Sequence, residues 1–122
     1  GKHILVEKPI GVNQQEAATM INAAKEHDVF LMEAFMYRCH PQIARVSQII
    51  QSGAIGEVRV IRSSFGYNAG TNWTGRNLAH ELIGGGILDV GCYPVSAARW
   101  IAGAAQGLPF AEPTSLKAHG VL

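Results

Sequence analysis

The most constraining feature of this sequence is a pair of short apolar runs separated by one amphipathic stretch, all within its first third. Residues 3–7, with Ile4, Leu5 and Val6 at their centre, suit a strand buried on both faces. Pro9 and Gly11 break that run. Asn13 followed by Glu16 three positions on is close to a capping box, the usual start of a helix. Ala17, Met20, Ile21 and Ala24 then recur at helical spacing, which predicts an amphipathic helix to about His27. Val29, Phe30, Leu31 and Met32 form the second apolar run. Strand, helix and strand within about thirty residues make a βαβ unit, so two parallel strands and a right-handed crossover are expected.

Further along, Pro41 fits the first turn of a second helix, with Ile43, Val46, Ile49 and Ile50 on one face and Gly53 as its stop. After Gly56 the pattern changes to a two-residue period. Residues 57–67 are expected to form a long strand of a separate, antiparallel sheet. Residues 68–83 are a polar loop carrying Trp73, Arg76 and His80, and a loop of that length is usually functional or disordered. Gly84-Gly85-Gly86 leads to a helix over about 87–102, with Gly91 and Pro94 inside it, and Ser115–Val121 reads as a last strand.

Composition narrows the function classes. Apolar residues make up 48% of the 122, enough for a packed core, whereas charged residues are only 16% against roughly 25% in an average soluble domain. The shortfall implies that part of the surface is normally covered. A net charge of +1 excludes the electrostatic footprint of a nucleic-acid binder or a membrane-surface protein. No apolar run is long enough to span a bilayer. Cys39 and Cys92 are few and unpatterned, as in reduced thiols of a cytoplasmic protein. The chain opens and closes in what read as strands rather than polar linkers, so a fragment of a longer protein is expected.

The candidate chemistry lies at two places. Glu7-Lys8-Pro9 ends the first strand, and open α/β sheets bind ligands beyond the carboxyl ends of their strands. A lysine there is either a fixed positive charge at the sheet edge or, as is commoner in such loops, a solvent-facing side chain. Asp89 and Tyr93 are four residues apart and share one helical face. A carboxylate and a phenol so placed can orient each other or one substrate hydroxyl, and a neighbouring cation would help the phenol take a proton at neutral pH. Equally, they read as one capping Asp and one packing Tyr. The glycine triplet is not a dinucleotide fingerprint, because Asp89 stands where the last glycine of G-x-G-x-x-G belongs. His3, His27, His40, His80 and His119 have no metal-ligand spacing, and no metal site is expected.

Taken together, three stretches resemble one family. Gly1-Lys2-His3-Ile4-Leu5-Val6-Glu7-Lys8-Pro9, the run from Phe30 to Arg38 (FLMEAFMYR), and the run from Gly84 to Pro94 (GGGILDVGCYP) are similar, in order, to blocks of the Gfo/Idh/MocA oxidoreductases. The likeness covers nearly the whole chain. Tyr at position 93, where many members carry His, resembles the subgroup of glucose–fructose oxidoreductase, dihydrodiol dehydrogenases and NADP-dependent D-xylose dehydrogenases. The resemblance implies an α/β fold in which residues 1–55 end a Rossmann-type parallel sheet. Residues 56–122 would then begin an α+β C-terminal domain with a mostly antiparallel open sheet for substrate binding and oligomerisation.

The same resemblance implies hydride transfer from a sugar or diol hydroxyl to NAD or NADP, with NADP slightly favoured. Tyr93 would be the general acid/base, Lys8 the supporting cation and Asp89 the group that orients the substrate hydroxyl or the Lys. Glu7, Lys8, Pro9 and Arg38 would lie against the cofactor, and Tyr37 and Arg76 against the substrate. A small-molecule substrate and a homo-oligomer are the implied partners, with no nucleic acid and no membrane. The family's G-x-G-x-x-G half is absent from the sequence, so this chain alone is expected to bind cofactor poorly. The rival reading is a non-catalytic module that assembles through its C-terminal sheet.

Overall fold

The computed structural model describes residues 1–70 and 74–120. Its first third is the βαβ unit: β1 (Ile4–Val6), α1 (Gln14–Glu26) and β2 (Leu31–Glu33), with β1 and β2 parallel and Ile4 opposite Leu31, Leu5 opposite Met32 and Val6 opposite Glu33. Asn13 caps α1, its side-chain oxygen accepting from the Glu16 N–H at 2.9 Å, while the Glu16 carboxylate accepts from the Val12 N–H at 3.2 Å. The turn after α1 is closed by Asp28 at φ 48 and a bond from the Val29 N–H to the Ala24 carbonyl. Of the helical face read from the sequence, Ala24 is buried, Ala17 and Met20 are half-buried and Ile21 is 40% exposed.

A 3-10 turn at Met36–Cys39 carries the chain into α2 (Pro41–Gln51), which has Pro at its first position and Gly53 at φ 72 beyond its end. α2 packs on α3 (Cys92–Ala104). Ile50, Trp100 and Ala104 are the buried side chains of that contact, and Trp100 Nε1 donates to Ser47 Oγ across it at 3.0 Å. One π-helical turn, Ile87–Gly91, precedes α3, so the helix expected over 87–102 is divided into two geometries. Gly103 lets the chain double back: Phe110 crosses so close that a Cβ on Gly103 would lie 2.3 Å from the Phe110 Cα. No helix among the described residues is long and apolar enough to cross a membrane.

Three expectations are corrected. β1 is not buried on both faces: Ile4 is 46% and Leu5 70% exposed. The reason is that β1 has one neighbouring strand among the described residues, and between it and α1 lies an open hollow bordered by Ile4, Val6, Met20 and Ala24. Nor do residues 57–67 form a strand, since a β ladder requires a second chain segment to accept its hydrogen bonds and none among the described residues does so. That segment runs instead past the α2–α3 pair, where Glu57, Val58, Arg59 and Ile61 border a hollow with Ile50 and Ala102. The small α/β architecture therefore holds, with a two-stranded parallel sheet and three α-helices as its regular elements. Residues 115–120 are likewise not strand, and Val121, the end of that expected strand, lies outside the described residues.

Candidate active site

β1 delivers Lys8 to the carboxyl edge of the sheet, and the Lys8–Pro9 peptide that follows is cis. The loop beyond is held by Glu33 at the end of β2, whose carboxylate accepts from the Ile10 N–H at 2.7 Å. From the other side the π-turn presents Asp89, and α3 presents Tyr93 in its first turn. Lys8, some eighty residues from the other two, meets both. The Lys8 ammonium donates to the Asp89 main-chain carbonyl, stands 3.7 Å from Asp89 Oδ1 and sits over the Tyr93 ring, 5.1 Å from its centroid.

Both charged side chains are only 15% exposed, which limits screening of the pair. The Cys92 thiol donates to the same Asp89 carbonyl at 3.9 Å.

The Tyr93 hydroxyl points to Met36 Sδ at 3.4 Å, a weak acceptor. Its ring is the hub of an aromatic cluster, with centroids 5.5 Å from Phe35, 5.4 Å from Phe65 and 6.0 Å from Tyr37. Tyr37, Met36, Phe65 and Tyr93 line a hollow of about 270 Å³. Lys8, Pro9, Arg76 and Asp89 line a larger cleft of about 410 Å³, a size that suits a small organic ligand. Arg76 thus stands at the same cleft as Lys8 and Asp89, as an exposed side chain. Tyr37 bonds to Ser96 Oγ at 2.9 Å.

Arg38 does not line either hollow. Its guanidinium lies over the Trp100 ring, 5.8 Å from the centroid. Glu7 is exposed at the end of β1. Trp73 lies outside the described residues. Among the described residues no group of three His, Cys, Asp or Glu side chains could hold a metal ion.

Two residues of the site were not singled out from the sequence as site residues. Tyr67 donates its hydroxyl to Asp89 Oδ2 at 2.6 Å, and Asn77 Nδ2 donates to that same hydroxyl oxygen at 2.6 Å. The bond to Asp89 pushes the Tyr67 hydroxyl above its ordinary ionisation range, helped by partial burial and by the carboxylate's charge, while Asn77 and Arg76 pull the other way. Tyr67 ends the segment expected to be a strand, immediately before the Asn- and Gly-rich loop, and an aromatic at that junction was the one available signal.

Comparison with known proteins bears on the whole arrangement. The chain is 36% identical over 121 residues to D-xylose 1-dehydrogenase (NADP(+)) 2 of Haloferax volcanii, covering 99% of this chain and 37% of that protein. It is 40% identical over 95 residues to trans-1,2-dihydrobenzene-1,2-diol dehydrogenase of Oryctolagus cuniculus, over 78% of this chain and 28% of that enzyme. Against dTDP-3,4-didehydro-2,6-dideoxy-alpha-D-glucose 3-reductase of Actinomadura kijaniata the figures are 38% over 104 residues, 85% and 31%. The chain spans about a third of the length of these relatives. No solved structure matches it. Residues 43–120 match the GFO/IDH/MocA C-terminal domain, and with near-complete coverage by the first of these relatives the chain belongs to the GFO/IDH/MocA oxidoreductase family.

Proposed function

We propose that the chain is the catalytic portion of a longer NAD(P)-dependent oxidoreductase that oxidises a secondary or anomeric hydroxyl of a sugar or diol. Residues 1–55 would close its dinucleotide-binding domain and residues 56–122 would open its substrate domain. The observation that carries this reading is the Lys8 ammonium held between Asp89 and the Tyr93 ring. A phenol is a poor base at neutral pH, and a fixed cation beside it stabilises the phenolate it becomes when it gives up its proton.

In this mechanism the substrate hydroxyl replaces Met36 Sδ as partner of the Tyr93 oxygen, because an oxygen is much the better hydrogen-bonding group. Tyr93, having lost its own proton to solvent, takes the substrate's hydroxyl proton as the phenolate, Lys8 holds positive charge beside it, and Asp89 keeps Lys8 in place. Tyr37, beside Tyr93, and Arg76, at the Lys8 cleft, bind the remainder of the substrate. The nicotinamide cofactor, when bound, supplies the acceptor for the hydride.

The cleft at the carboxyl end of β1 fits one end of such a cofactor, with a volume of about 410 Å³ and a cation in its wall. Lys8 and Pro9 line that cleft and would hold that end, whereas Glu7, exposed at the end of β1, and Arg38, over Trp100, lie outside its lining. The NADP(+) specificity carried in the name of the Haloferax relative favours NADP over NAD.

The test uses the full-length enzyme with D-xylose or trans-1,2-dihydrobenzene-1,2-diol and either NADP+ or NAD+, followed by absorbance of the reduced nicotinamide. Lys8→Ala and Tyr93→Phe are each expected to lower kcat by about 10²- to 10⁴-fold, the usual contribution of general acid–base catalysis. Near-normal turnover in either variant would remove the role assigned to it.

We also propose that the enzyme acts in the cytoplasm as a homo-oligomer through its C-terminal part. The exposed apolar side chains Val60 and Leu116, 70% and 84% exposed, favour this reading. Elution as a monomer in size-exclusion chromatography, with and without nucleotide, would refute the oligomer.

A further inference from the structure

The polar contacts of the site do not end at Asp89. Both of its carboxylate oxygens are in use, Oδ1 towards Lys8 at 3.7 Å and Oδ2 from the Tyr67 hydroxyl at 2.6 Å. Behind Tyr67 stands Asn77, whose amide donates to the phenol oxygen and so commits the phenol's own hydrogen to Asp89. The result is a chain of contacts, Asn77 to Tyr67 to Asp89 to Lys8 to the Tyr93 ring, running from the polar loop into the site.

We propose that Tyr67 is a positioning residue for the Lys8–Tyr93 pair: by holding one oxygen of Asp89 it leaves the other, with the Asp89 carbonyl, to fix the Lys8 ammonium over the Tyr93 ring. The physical argument concerns where the carboxylate's charge goes. An Asp with a free second oxygen can rotate to embrace an ammonium with both, which brings the ion pair closer and cancels more of the cation's field at its other neighbour. With Oδ2 occupied by a phenol, the carboxylate spends part of its charge on Tyr67, and the ammonium keeps a field to offer Tyr93. Asn77 acts through Tyr67 in the same direction. The charged and titratable groups facing Tyr67 are Asp89 and Arg76. Facing the Tyr93 ring are Lys8 and Tyr37.

This inference rests on the proposed dehydrogenase reading, and its test separates the two. In the full-length enzyme, Tyr67→Phe is expected to lower kcat about tenfold with KM little changed, the loss typical of a hydrogen bond to a charged group. It should also move the low-pH limb of the kcat profile to higher pH, since the base then has less cationic support. Asn77→Ala should move the limb the same way and less. In an Asp89→Asn background, Tyr67→Phe should leave the limb where it is.

A second readout needs no turnover. The difference in phenolate absorbance between the full-length enzyme and its Tyr67→Phe variant isolates Tyr67, whose titration should fall to lower pH when Asp89→Asn is present in both. If that titration does not move, the inference is overturned whatever the activity. An enzyme in which Tyr93→Phe abolishes turnover while Tyr67→Phe leaves kcat and pH limb unchanged overturns the inference and leaves the dehydrogenase standing. Absence of turnover with either substrate and either nucleotide overturns both.

Discussion

Gly103→Ala sets two general rules against each other, and the structure decides between them. Gly103 lies within α3, where replacing Gly by Ala gains about 1 kcal/mol of helix propensity. Yet a Cβ at this position would sit 2.3 Å from the Phe110 Cα and 2.6 Å from both its carbonyl carbon and its nitrogen. Ordinary van der Waals contact begins at 3.4 Å, so the crossing strand of backbone must retreat by about 1 Å. It is poorly free to do so.

Leu108 N–H donates to the Gly103 carbonyl and Ala111 N–H to the Arg99 carbonyl, both at 2.9 Å, while Arg99 covers the Phe110 ring and pairs with Glu112. Overpacking of this kind costs about 1–3 kcal/mol, and loss of the Ala111 bond adds about 1 kcal/mol. After the propensity gain is taken off, the variant should be about 2 kcal/mol less stable, a fall in Tm of about 8 °C for a domain of this size. Urea denaturation followed by tryptophan fluorescence, with Trp100 buried at the α2–α3 contact, reads the change directly. A variant as stable as the parent, or more so, would show that local propensity outweighs the close crossing and would refute the argument.

Three further outcomes are expected. Asn13→Ala should cost about 1 kcal/mol, because it strands the Glu16 N–H, whereas Asn13→Gly should cost only a few tenths; amide exchange in the first turn of α1 distinguishes them. Trp100→Phe removes the indole's bond to Ser47 and part of the largest buried side chain, so a loss of about 1–3 kcal/mol is expected, against about 1 kcal/mol for Ser47→Ala. Tyr67 ionises above the usual phenol range in the folded protein because it donates to Asp89. A raised folded-state value means its stabilisation is full below about pH 10 and lost as pH rises through that value, so Tyr67→Phe should flatten the alkaline fall in stability. Unchanged alkaline slopes in equilibrium unfolding would contradict this.

What the sequence made legible was local. The cap at Asn13, Pro41 at the start of α2 and the glycine after it are read from a few adjacent residues, and β1, α1 and β2 fall where their apolar spacing placed them. Lys8 could be singled out by its place at a strand end, and Asp89 and Tyr93 by their four-residue spacing on one helical face. Strand formation at 57–67 was not legible, since alternation says only which faces differ and a ladder depends on a partner elsewhere. Arg38 gave no sign of Trp100, and Tyr67 none of Asp89, because a stacking or hydrogen-bonding partner many residues away leaves no local pattern. The exposure of Leu5 follows from the same limit: an apolar run announces a preference for burial without stating what covers it.

The meeting of Lys8 with the π-turn ties the βαβ unit to the helical pair, which otherwise join through the short turn at Met36–Cys39 and the aromatic cluster around Tyr93. The groups proposed to react are therefore split, the cation on the βαβ unit and the phenol on the helical pair. A ligand that bridged the Lys8 cleft and the Tyr93 hollow would touch both and hold the charge beside the phenol.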